Sequence, residues 1–113
     1  MNTILPITVA LSASVSSGHV ALGAGELLGI WCPTVTSGDL YLRASYDTTS
    51  ADYVRVQQPV TLSGSGDLKF GVGVGSSYLP TGFLGNVGPF VKLETSVPQA
   101  AARIFQLCIM SVR

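Results

Sequence analysis

The residues that could do chemistry in this chain are few and scattered. Its six acids are Glu26, Asp39, Asp47, Asp52, Asp67 and Glu94, and hydrolysis of a glycosidic bond would need two carboxylates held about 5–10 Å apart. Asp47, Asp52 and Asp67 fall between apolar alternations, where an aspartate stabilises a turn by accepting hydrogen bonds from its own backbone. His19 is the only histidine, too few for a multi-imidazole zinc site or a confident Ser-His-Asp set, and Ser17-Gly18-His19 reads as a turn. The segment "DTTSAD", 47–52, offers two carboxylates and several hydroxyls that could touch calcium. It lacks the loop glycine and further acid of a dedicated site, so it reads as a solvated turn. "GVGVG", 71–75, has glycines but no following helix to meet a phosphate, which points to close sheet packing or a bulge. Trp31, Tyr41, Tyr46 and Tyr53 could form a sugar-stacking platform, but Trp31 stands in a segment apolar at both parities and is expected in the core. These residues imply no enzyme and no cofactor or metal.

The elements that would hold such residues are short strands. Val91, Leu93 and Thr95 alternate with Lys92 and Glu94, and Phe105, Leu107 and Ile109 alternate with Ile104, Cys108, Met110 and Val112. The first pattern is a half-buried strand and the second a strand apolar on both sides. Residues 96–102 between them contain Pro98, Gln99 and three alanines, too short a stretch for a useful helix. They are expected to form a loop in which Gln99 and Arg103 donate to backbone carbonyls left unpaired. Further strands are expected at 7–15, 26–33, 39–46, 53–57, 60–63 and 68–74, with 63–67 as a glycine-bearing hairpin connection. About eight short strands without helical periodicity predict an all-β, single-domain antiparallel sandwich, jelly-roll-like, spanning residues 1–113 with a short N-terminal arm. Residues 75–89 carry Tyr78, Leu79, Phe83 and Leu84 among glycines and prolines and are expected to be a long loop.

Composition narrows the partners. Of 113 residues, 47% are hydrophobic and only 11% charged, with net charge zero, against about a quarter charged in an ordinary domain. Such a surface favours neither nucleic acid nor an anionic membrane, and it lowers the repulsion that keeps monomers apart. The first eighteen residues lack the basic start of a signal peptide, Pro6 interrupts their apolar run, and their alternation is that of a strand. No apolar stretch is long enough to span a bilayer. Cys32 and Cys108 lie in apolar strand patterns and read as free thiols, a disulfide between them being the alternative.

Two stretches carry a family likeness. "ALGAGELLGIWCPTVTSGDLYLRASYD", 21–47, and "GPFVKLETSVPQAAARIFQL", 88–107, resemble a family of small bacteriophage and prophage virion structural proteins. The Pro98, Gln99, Ala100, Ala101 and Arg103 run is the most recognisable part; the chain departs where the family usually has Asp-Gly, since Thr48 follows Asp47. The resemblance implies a β-sandwich protein of the virion attached to the capsid, and it assigns no catalytic residue. The expectation is a decoration or stabilising subunit, made in the host cytoplasm and bound at the phage head surface to the major capsid protein or another virion protein. A homo-oligomer such as a trimer fits the low charge. Its contacts are expected at Ile4 and Leu5 of the arm, at Tyr78, Leu79, Phe83 and Leu84 of the loop, and at Arg103. A tail or neck connector and a carbohydrate-binding adhesion module are the alternatives.

Overall fold

The computed structural model describes residues 2–9, 16–35, 38–57, 66–71 and 77–110. Its strands are β1 (Asn2–Val9), β2 (Val20–Ala21), β3 (Glu26–Cys32), β4 (Asp39–Ser45), β5 (Val54–Arg55), β6 (Lys69–Gly71), β7 (Ser77–Pro80), β8 (Phe90–Thr95) and β9 (Arg103–Met110). One-turn 3-10 helices lie at Ser50–Asp52 and Gly82–Leu84.

The pairings are nested. β1 pairs with β9, β2 with β8, β3 with β7, and β4 with β5 and β6 end to end along one flank, all antiparallel. First with last and second with second-to-last is the pattern of one long hairpin. Rolling that hairpin brings β9 beside β3 and β8 beside β4, giving a four-stranded sheet β1-β9-β3-β7 and a five-stranded sheet β2-β8-β4-β5 with β6 on β4. This is a jelly roll. Counting β5 and β6 as one interrupted strand, its eight positions match the number expected from the alternation.

Period-two patterning explains which residues close the core. Leu27, Ile30, Phe105 and Leu107 of one sheet meet Leu40, Leu42, Val91 and Leu93 of the other, all fully buried. Inner faces packed in this way form a layer about 10 Å thick. β1 lies at a sheet edge, where Pro6 is tolerated because a missing N–H need not break a central ladder.

Buried polar groups are tied to the places where strands change course. The β3–β9 register shifts between Leu27 and Gly29, a bulge. Thr81 answers it: its backbone N–H donates to the Leu28 carbonyl at 2.9 Å and its hydroxyl to the Leu27 carbonyl at 2.8 Å. Ser17 Oγ accepts from the Leu93 N–H at 2.9 Å and donates to the Gly18 carbonyl at 2.8 Å, so this hydroxyl is spent on the fold. In the 47–52 turn, Asp47 accepts from the Thr49 N–H at 2.9 Å, the capping role expected of it. Residues 96–102 are non-helical, and Gln99, almost fully buried, donates to the Val97 carbonyl at 3.0 Å.

Three expectations need correction. The segment 75–89 was expected to contain no strand, yet Ser77–Pro80 is β7, recruited by pairing with β3. Glycines and prolines on either side mask so short an element in the sequence. The N-terminal arm is strand from Asn2 onward, because β9 supplies a partner along the whole of β1. The strand expected at 53–57 is reduced to Val54–Arg55. Of the remaining expected strands, 60–63, together with 10–15 and 72–74, lies outside the described residues.

Two measurements test this account. Thr81→Val should lower stability by about 1–3 kcal/mol, because the Leu27 carbonyl loses its buried hydroxyl donor while the backbone N–H to Leu28 is kept, and Thr81→Ser should recover most of it; urea unfolding of the three proteins decides. Burial pushes the Cys32 thiol up from 9.0 to about 11, partly offset by the neighbouring Ser77 hydroxyl. The folded state thus favours the protonated thiol, a contribution complete below pH 9 and lost as pH rises toward 11. The denaturation midpoint of Cys32→Ala should fall less steeply than wild type across that window.

Candidate functional site

The two outer faces of the sandwich differ in chemistry. On the five-stranded sheet the register turns Tyr41 and Arg43 of β4, Lys92 and Glu94 of β8 and Arg55 of β5 outward. Arg55 donates to Glu94 and to Asp67, each at 2.8 Å, and its guanidinium stacks 3.8 Å from the centre of the Tyr41 ring. The Glu94 and Asp67 contacts hold the Arg55 proton more tightly than usual, and Asp67 is correspondingly held below its ordinary value, first by Arg55 and then by Gln57. Lys92 lies 4.4 Å from the Tyr53 ring, and Arg43 donates to the Tyr53 carbonyl at 2.6 Å.

The outer face of the four-stranded sheet carries almost no charge. Residues opposite one another in a ladder share a face, so the register can be read across all four strands. Pro6, Gln106, Trp31 and Tyr78 form one outward row, and Ile4, Cys108, Gly29 and Pro80 the next. Thr8 and Ile104 extend the face at one end, and Met110 and Glu26 at the other. Glu26 is the one charged residue of outward parity among the described residues of this sheet. Seven large hydrophobic residues are exposed among those described, and five of them, Ile4, Trp31, Tyr78, Ile104 and Met110, stand on this face. The other two, Tyr46 and Val54, border a shallow depression of about 430 Å³ at the margin of the five-stranded sheet.

Gly29 shapes the aromatic corner. A Cβ at this position would overlap the Tyr78 ring, which therefore lies across the bare glycine backbone. The ring also meets Trp31, with centroids 4.3 Å apart and planes tilted by 45°. Beside the pair runs an open groove of about 370 Å³, bordered by Pro33, Ile104 and Gln106. Glycine here provides room for a ring from the neighbouring strand, much as cross-strand aromatics cover glycines in other sheets. The arrangement can bury a flat apolar surface, and the Gln106 amide supplies a polar group at its centre.

The contact residues expected from the sequence are divided by the fold. Ile4 and Tyr78 reach the same outer face from its two edge strands. Leu5, Leu79 and Leu84 turn inward and pack against the core. Arg103 begins β9 and is half-buried. Phe83 lies in the Gly82–Leu84 turn, and its side chain is outside the described set.

Trp31, expected in the core, is 50% exposed. The bulge places Ile30 and Cys32 inward and leaves Trp31 facing out. The aromatic platform it was grouped with does not assemble: Tyr53 is buried, Tyr41 is covered by Arg55, and Tyr46 is on the other sheet's margin. Cys32 faces the core while Cys108 has outward parity, so the disulfide alternative fails and both thiols are free. Trp31, Ile104, Cys108 and Met110 were not expected in the site. For Ile104, Cys108 and Met110 the signal was the double-sided alternation of residues 104–112, since a sandwich covers only one side of a strand.

No protein-family model matches the chain, and comparisons with curated proteins and with solved structures return no match.

Gly29→Val tests the aromatic corner. Its side chain needs the space the Tyr78 ring occupies, so the ring should swing away and leave Trp31 wetter. As the only tryptophan, Trp31 should show a red-shifted emission and easier acrylamide quenching, with the far-ultraviolet circular dichroism of wild type.

Proposed function

We propose that this protein is a structural subunit of a bacteriophage virion, a decoration or stabilising protein bound in many copies at the head surface against the major capsid protein or another virion protein. One observation carries the reading: of the seven large hydrophobics exposed among the described residues, five gather on the outer face of the four-stranded sheet, where Glu26 is the one charged residue described. A contiguous apolar surface of this kind is a site of association, because covering it removes apolar area from water at about 25 cal/mol per Å² before the costs of association. On the opposite sheet Arg55 is paired with Glu94 and Asp67, Arg43 donates to the Tyr53 carbonyl and Lys92 lies over the Tyr53 ring. Support of a more general kind comes from the resemblance of residues 21–47 and 88–107 to small virion proteins, and from the use of jelly rolls in viral capsids.

The exposed Trp31–Tyr78 pair favours a second reading, a carbohydrate-binding adhesion module, since sugars stack on such rings and lectin domains also use this fold. A sugar seated there would cover one corner and leave Ile4 and Met110 wet, whereas a protein partner covers the whole face. A tail or neck connector would use the same surface and differ in copy number, a dozen or fewer per particle instead of hundreds.

Heads assembled without the subunit provide the test. Wild-type protein should bind them to saturation in hundreds of copies, while Trp31→Lys and Ile104→Lys, folded by circular dichroism, should bind about tenfold or more weakly, a loss of about 1.4 kcal/mol. Host polysaccharide should leave the Trp31 emission unchanged. Undiminished binding by both variants would overturn the protein-contact reading, and a saturable fluorescence response would favour the adhesion module.

A further inference from the structure

We infer that the depression at the margin of the five-stranded sheet receives an arginine side chain of a partner protein, its guanidinium against the Tyr46 ring and beside the Asp47 and Asp52 carboxylates. This surface is separate from the outer face of the four-stranded sheet.

The floor of the depression is core that the sandwich leaves open. Val54 stands opposite Ala44 in the β4–β5 ladder and shares its side of the sheet, the side that packs against the core. Ala44 is half-buried there, yet Val54 is 64% exposed, so the second sheet does not reach over it. Val87 and Pro89, from the segment leading into β8, and Tyr46, 72% exposed just past the end of β4, complete an apolar surface around about 430 Å³. That volume lies within the range of about 300–1,000 Å³ of ligand clefts. Its apolar walls suit an aliphatic stem.

Charge sets the sign of the occupant. Asp52 lines the depression, and Asp47 stands next to it. The nearness of Asp47, and then burial, push the Asp52 carboxyl above its ordinary range. Among the described residues no lysine or arginine pairs with either carboxylate. Two neighbouring acids repel each other, and a cation seated beside them favours the charged form of both.

The same sheet shows which cation fits. On its outer face the Arg55 guanidinium lies 3.8 Å from the centre of the Tyr41 ring and donates to Glu94 and Asp67 at 2.8 Å each. A tyrosine ring and two carboxylates are there satisfied by an arginine of the chain itself. At the depression the same three groups recur as Tyr46, Asp47 and Asp52, with an apolar floor beside them and no cation supplied by the described residues. A guanidinium can lie flat on a ring while its fork meets carboxylates, whereas a lysine ammonium is a point charge without that plane. Arginine is therefore the side chain that uses every group present.

Nuclear magnetic resonance on the full chain tests this, with N-acetylarginine amide as the probe and its citrulline and lysine counterparts as controls. The arginine compound should shift the backbone amides of Ala44, Tyr46, Val54 and Gly88 saturably, with half-saturation on the order of millimolar. Citrulline, uncharged but of the same shape, and lysine, charged but without the plane, should each bind about tenfold or more weakly. Asp52→Asn and Tyr46→Ala, folded by circular dichroism, should lose arginine binding by a similar factor. Trp31→Lys should bind the probe as wild type does, which keeps a failure here distinct from a failure at the four-stranded face. No saturable shift at about 0.1 M probe, or citrulline or lysine binding as well as arginine, overturns the inference. So does calcium chloride at about 1 mM if it produces the same shifts and displaces the probe, since the turn would then be a metal site.

Discussion

The ladder between β3 and β9 is the contact on which the architecture depends. Every other pairing belongs to a long hairpin that could lie open; this one, with its counterpart between β4 and β8, closes the roll. It joins residues about eighty positions apart, so the chain gains it only after a large loss of loop entropy. The return comes from the inner face of β9, where Phe105, Leu107 and Ile109 are buried among residues of both sheets. Because β1 also lies on β9, the same strand holds the N-terminal edge in place.

That closing ladder contains the irregularity from which the surface arises. The bulge between Leu27 and Gly29 would leave strand carbonyls without donors, and Thr81 supplies them from the residue immediately after β7. Fastening Thr81 there sets β7 against β3 and brings Tyr78 over Gly29 and onto Trp31. A buried hydroxyl thus positions an exposed aromatic pair. The core and the candidate contact surface are two sides of one strand arrangement, and a change that slides β3 would alter both.

The sandwich also separates its chemistry. On the five-stranded sheet, Arg55 is held by two carboxylates and a tyrosine ring, and neighbouring cations lean on carbonyls and rings, so few of these charges are left to a partner. On the four-stranded sheet the outward residues are apolar or uncharged almost throughout. A free chain would expose that apolar face to water, whereas an assembled one covers it at little electrostatic cost. Low overall charge is therefore less informative than its distribution, which follows from how the strands are assigned to the two sheets.

Much of this was legible in the sequence, and the rest was not, for reasons that particular residues show. The patterning of residues 26–33, 39–46, 90–95 and 104–112 identified strands, because period two is a local property of extended chain. The proline and short alanine run at 98–102 ruled out a helix for the same kind of local reason. Composition alone indicated a surface poor in charge. The existence of β7 could not be read, since Ser77–Pro80 is strand only because β3 lies beside it. Nor could the exposure of Trp31, since a segment apolar at both parities does not say which parity the second sheet will cover. The sequence by itself determined which residues share a side of each strand; only the tertiary structure decided which side faces water, because that depends on pairing between strands far apart in the chain.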